Sequence, residues 1–170
     1  MIRIAITGPE SSGKTTIALE LSKEFGIHFC HEYARAYLNN TKGEYSFSDL
    51  DRIALGQLAL WKKASPPMIC DTDMTVMKIW SEVKYGNLSP LIDRMYHKQH
   101  FDHYFLCQPD MPWDPDPLRE HPKDRDWLFD LYVKELKNMN RPFTILHGTP
   151  EERLKQSTVV IHSLFPSFKK

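Results

Sequence analysis

GPESSGKT, residues Gly8 to Thr15, is a complete G-x-x-x-x-G-K-[ST] loop, and its flanks decide how it folds. Before it, IRIAIT alternates Ile2, Ile4 and Ile6, the period-2 pattern of a strand. After it, TTIALELSKEF places Ile17, Leu19, Leu21 and Phe25 on a helix. Strand, glycine-bounded loop and helix in that order make a phosphate cradle: loop N–H groups and the helix N-terminus form a concave anion site, the lysine reaches the β- and γ-phosphates, and the last hydroxyl ligates Mg²⁺. Gly8, Glu10, Ser11, Ser12, Gly13, Lys14 and Thr15, with Thr16 of the helix, are the expected nucleotide-binding set, and ATP with Mg²⁺ is the expected ligand.

Outward from the loop, apolar runs at 2–6, 27–30, 67–70, 102–107 and 142–147 have strand length, and helical patterns separate them. This alternation predicts an α/β fold with a parallel sheet covered on both faces. Between the second and third runs, Leu50, Ile53, Ala54, Leu58 and Trp61 recur at helical spacing behind a Ser48-x-x-Asp51 capping box. Ser89-Pro90 and Thr149-Pro150-Glu151-Glu152 mark two further helix starts. Residues 108–125, QPDMPWDPDPLREHPKDR, hold five of the chain's twelve prolines and follow neither period. A long charged loop leaving the C-terminal end of a central strand is where a lid over the ligand belongs.

With 170 residues the chain is sized for one domain, spanning 1–170. Lys and Arg number 22 against 22 Asp and Glu, so no global field favours nucleic acid or an anionic membrane, and a small-molecule substrate is expected. No apolar stretch is long enough to span a bilayer, and MIRIAITG runs straight into a strand without a signal-like segment, so the expected location is cytoplasmic. The oligomeric state is left open. Cys30, Cys70 and Cys107 match no zinc spacing and read as buried free thiols near strand ends.

Phosphoryl transfer needs a metal-binding carboxylate, a base and cations. PPMICDTD sets Asp71 directly after an apolar strand, where it serves Mg²⁺ with Thr15 or, alternatively, caps the helix near Met74; Asp110 is the second candidate. Asp73 either is that cap or faces the acceptor. In HEYAR, Glu32 suits proton acceptance from a hydroxyl and Arg35 suits orienting a sugar or phosphate, unless the two form a solvated pair. Tyr33 lies beside them. The lid offers Arg119 and Arg125 for charge on a transferring phosphoryl, and Trp113 to cover a flat, even cationic, ring. Trp80 and Tyr37 read as core.

GPESSGKT, HEYAR, DLDRIALGQ, CDTD and PDMPWDPDPLREHPKDR, in this order over nearly the whole chain, resemble the ribosylnicotinamide kinase domain of the NadR family, the NAD-biosynthesis regulators, within the AAA-type ATPase-like phosphate-loop kinases. The resemblance implies a three-layer fold with a five-stranded sheet in order 2-3-1-4-5. It implies transfer of the ATP γ-phosphate to the 5′-hydroxyl of ribosylnicotinamide. Gly13, Lys14 and Thr15 would hold ATP and Mg²⁺, Glu32 and Asp71 would serve hydroxyl and metal, and Arg119 and Arg125 would close over the phosphates. Another nucleoside or nucleotide kinase, or a non-catalytic ATP-dependent switch, fits the same loop. The regulators carry an adenylyltransferase domain before the kinase, whereas this chain begins at the loop strand; and Pro117 stands where the family commonly has glycine before Leu-Arg, which stiffens the lid.

Overall fold

A computed structural model describes residues 2–168. Its strands are β1 (Arg3–Thr7), β2 (His28–Cys30), β3 (Met68–Asp71), β4 (His103–Cys107) and β5 (Phe143–Leu146). They form one parallel sheet in the order β2-β3-β1-β4-β5. Each observed strand falls within a residue or so of its expected run. The helices are α1 (Lys14–Phe25), α2 (Tyr33–Asn40), α3 (Phe47–Lys63), α4 (Met74–Tyr85), α5 (Pro90–Lys98), α6 (Arg125–Asn138) and α7 (Pro150–Leu164).

Strand alternation sorts the helices into two layers. Ile4, Ile6, Ile69, Phe105 and Cys107 point to one face and pack with Ile17, Ala18 and Leu21 of α1 and Ile161 of α7. Their neighbours Ala5, Met68, Cys70, Tyr104 and Leu106 point to the other face, against residues of α2 to α6. Both faces of the central strands are buried, which is why β1, β3 and β4 are apolar almost throughout. Between β3 and β4 the chain crosses from one side of β1 to the other. The loops at the C-terminal strand ends therefore diverge and leave a crevice.

Helix α3 begins two residues earlier than the spacing predicts. The capping box is Ser46 with Asp49 rather than Ser48 with Asp51. Both pairs have the right separation, but Asp49 also accepts the Tyr37 hydroxyl at 2.6 Å and Arg52 at 2.9 Å, which fixes the earlier register. Helices α5 and α7 start where expected, on Ser89 and Thr149, and Thr149 forms a capping box with Glu152. All three cysteines are buried and free. The segment from Gln108 to Asp124 is irregular and leads into α6. Among the described residues, no helix is long and apolar enough to cross a membrane.

Candidate functional site

Two glycines set the phosphate loop's shape. Gly8 turns the chain off β1 with φ 135°, and a Cβ there would lie 2.7 Å from the Cys107 carbonyl oxygen. Gly13 adopts φ 80° as the residue before α1, so neither position suits an L side chain. The Lys14 ammonium donates to the Pro9 carbonyl at 2.7 Å, and the Ser12 hydroxyl donates to the same oxygen at 2.7 Å. Lys14 is thereby folded over the loop, inside the cavity where a polyphosphate would sit.

Beneath the loop, the Thr15 hydroxyl donates to Asp71 Oδ2 at 2.6 Å. Asp71 is 2% exposed, and its Oδ1 is buried without a partner. Burial pushes this carboxyl above its usual range, opposed by the Thr15 hydroxyl and by Lys14. A buried carboxylate with one orphaned oxygen beside a hydroxyl is a donor set suited to a hard cation such as Mg²⁺. No cluster of three or more His, Cys, Asp or Glu marks another metal site among the described residues.

One cavity of about 210 Å³ joins this loop to the space under the lid. Gly8, Glu10, Ser11, Ser12, Gly13, Lys14, Thr15 and Thr16 line it together with Glu32 and Arg35, from the start of α2. Burial raises the Glu32 carboxyl above its ordinary range, the Lys14 ammonium pulls it back, and the Asp71 carboxylate raises it further. Lys14 and Thr15 at the start of α1, Glu32 at the cap of α2 and Asp71 at the end of β3 thus come to one place. Arg35 is committed elsewhere: its guanidinium pairs with Asp116 of the lid at 2.8 Å.

Other expected site residues lie outside the cavity lining. Tyr33 lays its ring on α3 at Gly56, where a Cβ would fall 2.2 Å from Tyr33 Cε1. Asp73 is fully buried and caps α4: it accepts the Thr7 hydroxyl at 2.7 Å, the Thr75 N–H at 3.1 Å and the Gln99 amide at 3.1 Å. Of its two readings, the cap is the one observed. Trp113 lies in the lid, with the guanidinium carbons of Arg119 and Arg125 at 5.9 and 5.6 Å from its ring. Arg119 does line the cavity but is bonded to Asp114. Arg125 donates to the carbonyls of Ser11 and Met111, each at 3.0 Å, so it grips the loop's backbone. Asp110 is no partner of Thr15; it pairs with Arg153 and accepts the Gly148 N–H at 2.7 Å.

The cavity's far end is built from residues the spacing did not single out. Val76, Ile79, Trp80 and Val83 of α4 line it with Tyr45, Leu38 and Leu118. The Tyr45 hydroxyl accepts from Trp80 Nε1 at 2.9 Å and from Lys84 at 2.6 Å, and donates to Glu120 at 3.0 Å; desolvation pushes it up to about 12. Lys84 also pairs with Glu120. Positions 76, 79, 80 and 83 form an i, i+3, i+4, i+7 stripe that also packs on the core beside Met77, so the spacing by itself reads as core.

The lid is bonded directly to the phosphate loop. Glu10 accepts the N–H groups of Glu120 and His121 at 2.9 and 3.0 Å, and Ser11 Oγ accepts the Asp114 N–H at 2.9 Å.

A family model described as an AAA domain matches residues 3–153. The trifunctional NAD biosynthesis/regulator protein NadR of Salmonella typhimurium is 31% identical over 150 residues, which cover 82% of this chain and 37% of that protein. A NadR protein solved in complex with NR superposes with a TM-score of 0.80 at 20% identity over 96% of this chain and 50% of its own. Deoxyadenosine kinase from M. mycoides with bound dCTP gives 0.63 at 18% identity over 95% and 100%. The chain spans about half or less of the length of the NadR proteins it matches. Loop, sheet order, lid and sequence agree: the chain belongs to the AAA domain family, has the three-layer phosphate-loop kinase fold and is homologous to a segment of NadR.

Proposed function

We propose that this chain transfers the γ-phosphoryl group of ATP to the 5′-hydroxyl of a nucleoside, with ribosylnicotinamide as the acceptor and nicotinamide mononucleotide as the product. The observation that carries the reading is Glu32: a carboxylate raised by burial lines the same cavity as the phosphate cradle and an apolar wall that includes Trp80. A nucleotide switch needs neither a carboxylate facing a second compartment nor a lid across it.

In this reading the acceptor hydroxyl oxygen attacks phosphorus, the bond from phosphorus to the bridging oxygen of ADP breaks, and Glu32 takes the hydroxyl proton. Lys14 offsets charge on the transferring group, and the loop N–H groups hold the remaining phosphates. Thr15 and Asp71 would hold Mg²⁺, which would supply positive charge against the charge that develops on the phosphoryl group. Arg119 of the lid, bonded to a solvent-facing Asp114, can exchange that partner for a phosphate.

The acceptor's base belongs in the chamber beyond Glu32. Trp80 gives it an aromatic face, a contact that favours a fixed positive ring over a neutral base, while the Tyr45 ring and Glu120 are already engaged by the Lys84 ammonium. Trp113, placed beside two arginines, shapes the lid in this scheme. The NadR structure in complex with NR supports a ribosylnicotinamide-like acceptor, and the fold shared with a deoxyadenosine kinase keeps a neutral nucleoside as the rival.

ADP release measured with ATP and Mg²⁺ over ribosylnicotinamide, uridine, adenosine and deoxyadenosine tests this. Ribosylnicotinamide should give the highest kcat/KM, by about tenfold or more. Preference for a neutral nucleoside would reject the acceptor and keep the kinase; ATP binding with no transfer to any nucleoside would return the switch.

A further inference from the structure

Arg153 is the largest fully buried side chain outside the catalytic list, 1% exposed in the first turn of α7. A cation is poorly placed there, because the N-terminal end of a helix carries partial positive charge. Its environment compensates with a complete set of acceptors. Nε donates to the Gly148 carbonyl at 3.0 Å, Nη2 to the Gln108 carbonyl at 2.7 Å and to the Asp110 carboxylate, and Nη1 to the Ser12 carbonyl in the phosphate loop. The other Asp110 oxygen takes the Gly148 N–H, which closes the cluster. One guanidinium thus joins the phosphate loop, the exit of β4 and the turn between β5 and α7.

The bond to Ser12 has a stereochemical consequence. In a trans peptide the carbonyl and the following N–H point in opposite directions. Drawing the Ser12 oxygen toward Arg153 therefore turns the Gly13 N–H away from it, toward the cavity that Gly13 lines. The fit behind the loop is tight: a Cβ on Gly13 would lie 3.4 Å from Arg153 Nη1 and 3.0 Å from Met111 Sδ. Free peptide rotation at Ser12–Gly13 would lose a donor from the anion site.

We propose that Arg153 is a positioning residue for phosphoryl transfer, which holds the Ser12–Gly13 peptide so that the Gly13 N–H stays aimed at the bound polyphosphate. The assignment rests on ATP occupying the phosphate loop and is independent of the acceptor's identity. Lysine cannot reproduce it, since a single ammonium does not span the Ser12, Gln108 and Gly148 carbonyls as a planar fork does.

The test is isothermal titration of ADP and AMP, each with Mg²⁺, into wild type and Arg153→Lys, with melting temperature and kcat measured alongside. The loop cradles a β-phosphate that AMP lacks, so Arg153→Lys should weaken ADP by about tenfold or more while AMP changes little, and kcat should fall. A lower melting temperature with an unchanged ratio of AMP to ADP affinity would overturn the proposal, leaving Arg153 a packing residue. Should Arg153→Lys not fold, Asp110→Asn removes the ion pair and leaves the carbonyls; a reduced ADP preference supports the proposal and an unchanged one rejects it. Wild type that binds neither nucleotide would sink the kinase reading itself, a result separable from the others.

Discussion

The two ends of the cavity are held in different ways. At the phosphate end the backbone itself is clamped: Arg153 and Arg125 hold the carbonyls of Ser12 and Ser11, and Asp71, Ser12 and Arg153 are all buried. At the acceptor end the lid is tied by Arg35 to Asp116 and by Lys84 to Glu120, pairs whose side chains keep contact with solvent. Exposed ion pairs contribute about 1 kcal/mol or less each, whereas a buried charged hydrogen bond left without its partner costs several times that. The difference separates the two tasks of a kinase. In the proposed reaction a triphosphate would meet a site already formed, and an acceptor would enter under a cover held by weaker ties.

The largest expected effect breaks the preformed end. Lys14→Ala removes the charge that touches the transferring group, so kcat/KM should fall by about 10³-fold or more while the melting temperature stays close to wild type, the ammonium being at the cavity wall. Parallel rate and thermal-melt measurements decide it; an active Lys14→Ala enzyme would end the assignment.

Glu32 and Asp71 divide the next effect between base and metal. Glu32→Gln should lower kcat by about 10²-fold or more with ATP affinity kept, and Asp71→Asn should raise the Mg²⁺ concentration that gives half-maximal rate. The pH profile sharpens this. Because burial raises the Glu32 carboxyl, the wild-type rate should fall with acid through a pKa above the ordinary carboxylate range, and that limb should vanish in Glu32→Gln. The linkage has the same origin: a carboxyl raised in the folded state binds its proton more tightly there than in the unfolded chain. Its contribution to stability therefore declines as pH rises from the ordinary to the raised value. A Glu32→Gln profile that matches wild type would rule Glu32 out as the base.

A smaller effect separates the two tryptophans. Trp80→Leu should cost about thirtyfold in kcat/KM for a cationic acceptor and less for uridine, the size of a desolvated cation–π contact of about 2 kcal/mol. Trp113→Leu should reduce both acceptors alike, since its ring lies against Arg119 and Arg125. Cation-selective loss in Trp113→Leu with none in Trp80→Leu would exchange the two roles.

The smallest effect belongs to the lid ties. Arg35→Ala or Glu120→Gln should leave the melting temperature within a few degrees of wild type, and Arg35→Ala should change the acceptor KM by no more than about fivefold. A large loss of stability in Arg35→Ala would mean that the Arg35–Asp116 pair is structural, and that the lid is fixed at both ends.

The sequence by itself determined what local rules govern. The period of the apolar runs defined five strands and their helices, glycine and lysine at fixed offsets defined the anion cradle, and proline or serine at helix starts defined two caps. Glu32 and Asp71 could be nominated as candidates because each sits at or just beyond a strand end, and Lys14 and Thr15 because the loop motif fixes their offset from β1. The resemblance added the strand order, which periodicity does not contain. Only tertiary structure could decide between Asp73 as cap and Asp73 as ligand, because the outcome depends on Thr7 and Gln99 arriving beside it. The same holds for Trp80, whose stripe on α4 packs on the core and also lines the cavity. It holds most for Arg153, 141 residues from the carbonyl it grips. A buried arginine is specified by its acceptors; when those acceptors are backbone oxygens from distant turns, no side-chain pattern in the sequence announces them.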